Sequence, residues 1–174
     1  MLLFLIRGRW RNHLAPFVFS SLVVCLFFNS PIRAETIRLS LEELTREADA
    51  IVRGRIQKVT QQTADLSNIT TDIEISVVEQ WKGPKASSLV LSQPGGSAGE
   101  ITQAVPGLPQ FSAAEDAILF LKESRGGFFE MVGGRQGKFV VKTDPQSGKE
   151  FIQDLTGKTQ TLSDFLIRLK AALR

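Results

Sequence analysis

The sequence predicts a mostly β, α+β domain: a small antiparallel barrel or sandwich with one helix near each end of the chain that follows an amino-terminal leader. Three observations carry this expectation. Short apolar or alternating segments recur between Gly- and Pro-bearing turns from residue 51 to residue 153. One of them, residues 69–81, alternates over its whole length, and helical spacing is confined to the two ends of the post-leader chain.

The leader is expected over residues 1–34. Arg7, Arg9 and Arg11 precede an apolar run of about 12 residues from Phe17 to Phe28, and Ala34 stands before the first acidic residue, Glu35. A basic flank, a short apolar centre and a small residue before a polar segment describe a secretory signal peptide. The run is too short to span a bilayer, which takes roughly 20 residues. The expected working form is therefore residues 35–174, a single β-rich domain without a membrane span, exported to the periplasm or the exterior.

Within it, Ser40 and Glu43 have the spacing of a capping box, and Leu41, Leu44 and Ala48 mark the buried side of a short helix. A β segment follows from Ile51. In the long strand, Ile69, Thr71, Ile73, Ile75, Val77, Glu79 and Trp81 share one face, and Lys82-Gly83-Pro84 stops it. Ser88 to Ser92 is a short strand, and residues 94–114, rich in Gly, Pro and Ser, read as a loop or a loop with a short strand inside. Ala117 to Leu121 is a continuous apolar run, as in a central strand, and Phe128 to Val132 is another strand. Residues 137–143 and 149–153 flank Asp144-Pro145-Gln146-Ser147-Gly148 as a hairpin. Thr161 caps a final helix with Phe165, Leu166, Leu169 and Leu173 on one face.

Composition excludes several functions. The chain has 21 basic and 18 acidic residues. Four of the basic ones and none of the acidic ones lie in the leader, so the remainder carries 17 against 18, a net charge of −1. That is no footprint for nucleic acid, which needs surplus Lys and Arg on one face. The only histidine, His13, and the only cysteine, Cys25, also lie in the leader. The exported part thus has no imidazole or thiolate for a metal, no disulfide, and neither the commonest general base nor a Cys nucleophile. With no serine-lysine or nucleophile-elbow pattern either, the sequence points away from an enzyme, and no cofactor or metal is expected.

The order "ADAIVRGRI", "VVEQWKG", "SQPGG", "AEDAILFL" and "GGRQGKFVVKTDPQSGK" resembles a family of uncharacterised secreted bacterial proteins over nearly all of residues 36–155. That family commonly carries a Gly-Glu pair before the "LLFL" strand, where this chain has Ala114-Glu115. The resemblance brings no catalytic residue, but some members are encoded near matrixin-type metalloproteases, which implies a protease partner. More distantly, the strand–"WKG"–strand–"FL" order is similar to the netrin-like and metalloprotease-inhibitor domains. It implies their oligonucleotide/oligosaccharide-binding (OB) barrel, although those inhibitors use a cysteine that residues 35–174 lack.

The candidate sites follow from these segments. Pro94, Gly95, Gly96 and Gly99 either let a partner approach the backbone or only make a strand connection with unusual dihedrals. Leu108 and Phe111 fall in the same segment, Phe111 being either a lid on the barrel or an exposed aromatic anchor. Arg135, among the glycines of residues 133–137, is either an anion contact or part of a bend. Trp81 is either a core residue or the rim of a ligand mouth. Glu115 and Asp116 read as a solvated strand entry. The leading expectation is a non-enzymatic module that contacts a co-exported protein through residues 94–112. A barrel holding a small apolar or saccharide ligand is the alternative, and a His-independent hydrolase the third reading.

Overall fold

The computed structural model describes residues 38–65 and 68–174, so the expected leader lies outside the described residues. Arg38–Arg174 form one unit. It opens with α1, Leu41–Glu47, started by the capping box: the Ser40 hydroxyl accepts the Glu43 N–H and the Glu43 carboxylate accepts the Ser40 N–H. There follow β1 (Ala50–Asp65), β2 (Asn68–Lys82), β3 (Ser88–Pro94), β4 (Gly96–Ala98) and β5 (Ile101–Gln103). The remaining strands are β6 (Asp116–Glu123), β7 (Phe129–Met131), β8 (Lys138–Thr143), β9 (Glu150–Gln153) and β10 (Thr159–Thr161). The last element is α2, Leu162–Ala172, whose first turn is capped by the Thr161 hydroxyl on the Asp164 N–H.

Five strands close on themselves in the order β1-β2-β3-β7-β6 and back to β1, all antiparallel except the single parallel pair Leu91–Phe129. This is a small OB-like barrel, the barrel arm of the expectation. Closure depends on β1, which pairs along its length with β2 and through Ala50–Arg55 with β6. Register shifts at Ile51/Val52, Arg53/Gly54 and Ile56/Lys58 bend it, as a strand must bend to serve two neighbours around a barrel. At Gly54 the approach is close: an added Cβ would lie 2.2 Å from Ile75 Cγ2.

β6 explains the apolar run of residues 117–121. Ala117, Leu119 and Leu121 face the barrel interior with Val52, Ile56, Ile73, Ile75 and Leu91. Ile118 and Phe120 face outward, yet they are equally buried, because α1, α2, β8 and β9 cover that side. There Phe139 packs between Phe120 and Phe165, with ring centroids 5.7 and 4.9 Å apart. A strand covered on both faces loses its alternation. β8 takes the half of β6's edge that β7 leaves free, and β9 and β10 extend the sheet from it.

Two expectations are extended. β1 runs to Asp65, well past the apolar part that marks it in sequence, because β2 supplies a ladder partner along its whole length. Residues 94–114 follow the second arm of their expectation, a loop with strand inside, and go beyond it: Pro94 ends β3, and β4 and β5 form a separate hairpin within the segment.

Candidate binding cleft

Residues 104–115 form an irregular strap that joins β5 to β6. It bridges β3 and β8, which do not pair with each other. Its carbonyls are tied down in succession: Gly107 O accepts the Arg135 N–H at 2.9 Å, Pro109 O accepts the Gln93 side-chain amide at 3.0 Å, and Gln110 O accepts the Lys138 ammonium. Phe111 then packs against the barrel core, with Lys138 Nζ 4.5 Å above its ring centre. Lys138 is also paired with Glu115, and both side chains are largely buried. Removing either partner would leave an uncompensated charge, at a cost of about 3–5 kcal/mol.

Between the strap and the β8–β9 hairpin lies an open cleft of about 480 Å³. Leu108, Val140 and Leu155 supply apolar surface, and Arg135, Gln153 and Asp154 supply polar ends. Leu155 is 47% exposed. The Arg135 guanidinium makes no hydrogen bond or ion pair within the described residues. Its backbone is nevertheless fixed, since Gly133 and Gly134 precede it with φ of 61° and 56°, and a Cβ on Gly134 would strike Gly107 O at 2.4 Å. Burial alone would raise the Asp154 carboxyl, but the Thr156 hydroxyl and the Thr156 and Lys158 N–H groups outweigh it and hold the group below the ordinary carboxylate range. The cleft therefore offers a cation, an anion and an apolar wall.

The chain matches no family model and no curated protein. The cleft's chemistry is thus read from its own residues.

Of the residues singled out in sequence, Leu108 and Arg135 meet in this cleft, and Phe111 anchors its strap. Phe111 takes the lid arm: its ring is half-buried against the barrel and is not a free anchor. Pro94, Gly95 and Gly96 belong elsewhere. Gly95 is buried, its N–H bonds Ile69 O at 2.8 Å and its carbonyl takes the Thr71 hydroxyl at 2.7 Å. A Cβ at Gly96 would meet that same hydroxyl at 2.7 Å. These glycines make a strand connection that only glycine fits, while Gly99 lies exposed at the β4–β5 turn with open space around it. Trp81 packs on the outer core and donates its N–H to Glu79 at 3.0 Å.

The solvated reading of Glu115 and Asp116 is overturned. Glu115 pairs with Lys138, and Asp116 accepts from two Arg53 nitrogens, Nε shared between its two oxygens at 3.1 and 3.2 Å and Nη2 at 2.7 Å, in a fork that also grips Glu150. Sequence reasoning missed Arg53 and Glu150, which stand 97 positions apart. Pairing with Asp116 first, and with Glu150 second, raises the Arg53 pKa, and the guanidinium in turn lowers that of Glu150. Among the described residues no cluster of three or more His, Cys, Asp or Glu could hold a metal, and no helix is long and apolar enough to cross a membrane.

Proposed function

We propose that the protein is an exported, non-enzymatic binding module. It contacts another secreted or periplasmic protein through the strap, residues 104–111, and the cleft beside it. The observation that carries this reading is the state of the strap. It has no regular secondary structure, yet one of its carbonyls is tied to β3 of the barrel, two more to Arg135 and to Lys138 of β8, and Phe111 is seated against the barrel core. Such a surface loses little conformational freedom on association, which is where much binding energy is otherwise spent. Beside it stand an arginine without a side-chain partner among the described residues and exposed leucine surface, residue types suited to an interface. The resemblance to a secreted bacterial family, some of whose members are encoded near metalloproteases, favours a protease as the partner. Contact would then be made by the strap, since residues 35–174 have no cysteine for a catalytic zinc.

The test is affinity capture from the host's own exported proteins with three forms of the chain: native, Leu108→Asp/Arg135→Glu, and Gly99→Ser at the tip of the β4–β5 hairpin. One protein retained by the native and Gly99→Ser forms but not by the double variant is the expected result. A partner held equally by all three, or none held by the native form, would refute the reading.

A further inference from the structure

Three charged side chains line the strap cleft, and they are engaged to different degrees. Lys138 is spent: Glu115 neutralises it, Gln110 O accepts a further bond, and the Phe111 ring lies beneath it. Asp154 is half spent. Its three bonds, from the Thr156 hydroxyl and the Thr156 and Lys158 N–H groups, all close on Oδ1, so Oδ2 keeps its acceptor capacity. The Arg135 guanidinium has no side-chain partner among the described residues, although Asp154 lines the same cleft. The two do not pair, so neither neutralises the other. Arg135 is exposed, and Leu155 is 47% exposed, so a ligand reaches both from solvent.

We infer that the strap cleft receives the carboxyl-terminal end of a partner's chain, with an apolar last residue. The inference rests on the reading of this cleft as the contact surface and names what enters it. The planar guanidinium of Arg135 matches a carboxylate with two parallel bonds, which a point charge does not. At a chain end the α-carboxylate and an apolar side chain share one Cα, so one residue meets both Arg135 and the wall of Leu108, Val140 and Leu155. The N–H groups of the same chain end supply donors for Asp154 Oδ2. A fatty acid would satisfy the cation and the wall but bring no donor to that oxygen. An Asp or Glu side chain would bring the carboxylate without the apolar group. The volume, about 480 Å³, is in the range of small-ligand sites and takes roughly two or three residues, while the open side lets the rest of the chain run out.

The experiment is a nuclear-magnetic-resonance titration of the isotope-labelled protein, as purified from its producing cells. The probes are acetylated pentapeptides ending in Val, Leu or Phe with a free carboxylate, the same peptides amidated, and octanoate. Arg135→Gln and Leu155→Ser are titrated beside the native form; both positions are exposed, so the fold persists, and a native circular-dichroism spectrum checks it. At least one free-carboxylate peptide should saturate the native protein and shift the Arg135 Nε–H and the N–H groups of Leu108 and Leu155. Amidation and Arg135→Gln should each weaken that binding about tenfold, and Leu155→Ser about threefold. The first two effects should not add, because both remove the same bond. Saturation by none of the free-carboxylate peptides would overturn the inference, as would equal binding of acid and amide, or binding of octanoate alone. A captured protein that the Leu108→Asp/Arg135→Glu variant loses, with no peptide response, would keep the partner reading and overturn this one. A carboxylate-dependent response with no captured protein would uphold the site and count against the partner reading alone.

Discussion

Ala114 occupies a conformation that an L-residue with a Cβ adopts at a cost. Its φ is +64°, alone in the left-handed region among the described non-glycine residues. The surroundings enforce it. Glu115 N–H returns to Ser112 O at 3.2 Å, closing a four-residue turn with Ala114 in the third position, while the Ala114 N–H and Glu115 carbonyl both bond Ile56 at 2.8 Å. Glycine is the natural residue at such a position. The left-handed region costs a non-glycine residue roughly 1–2 kcal/mol, and glycine gives part of that back as chain entropy. Ala114→Gly should therefore raise stability by about 0.5–1 kcal/mol in urea unfolding. A lower midpoint would mean that the turn carries no strain. Single residues show what the sequence could and could not convey. Ser40, Glu43 and Thr161 act on neighbours three positions away, so their capping was legible from spacing alone. The glycines of residues 94–99 were visible as glycines, but whether they faced a partner or filled a tight crossing depended on Thr71 and Gln103, which only the fold brings near.

Elements are held by a few ties of long sequence separation, and the clearest is the Arg53 fork. It joins β1 to β6 through Asp116 and to β9 through Glu150, and so fastens the β8–β9 hairpin to the barrel. The guanidinium holds the Glu150 carboxyl below its ordinary 4.5. A carboxyl whose folded pKa is depressed contributes stability above its unfolded value, and that contribution fades as pH falls through the folded one. Glu150→Gln should accordingly lower the urea midpoint at pH 7, with the gap to the native protein closing as pH falls below about 4.5. A gap that stays constant from pH 7 to pH 3 would assign the loss to packing and not to charge. The side chain is about a third exposed, so a modest effect is expected. Periodicity revealed the strands that bury a face, β2 above all, and the β8–β9 hairpin showed through its turn residues. β10 escaped because its three residues, Thr159–Thr161, are too few for a period and bury little. The strap cleft escaped as a unit for a related reason: Leu108 and Arg135 stood out separately, and their segments are joined by tertiary ties such as the bond from the Arg135 N–H to Gly107 O and that from Lys138 to Gln110 O.

At the scale of the whole molecule, the barrel interior and the outer core are two apolar clusters that share no buried residue but do share strands. β1 gives Ile51 to the outer core and Val52 to the inner, and β6 gives Ile118 and Phe120 to one and Ala117, Leu119 and Leu121 to the other. The strand alternation that separates the clusters also welds them. α1 and α2 cannot leave without exposing one face of the two strands that close the barrel, and the barrel cannot open without losing the surface on which the helices pack. The continuous run of residues 117–121 announced burial on both faces, but which elements covered each face was not legible, since an apolar side chain names no partner. Two substitutions test the coupling. Phe165→Ala cuts the outer core and Ile73→Ala the inner, and each should cost about 2–5 kcal/mol. If the cores form one cooperative unit, far-ultraviolet circular dichroism and tryptophan fluorescence will follow a single coincident transition in both variants, with the native dependence on urea. If instead Phe165→Ala melts its helices at low urea while the strand signal survives, the barrel stands without its cover, and the outer core is an addition to a self-sufficient fold.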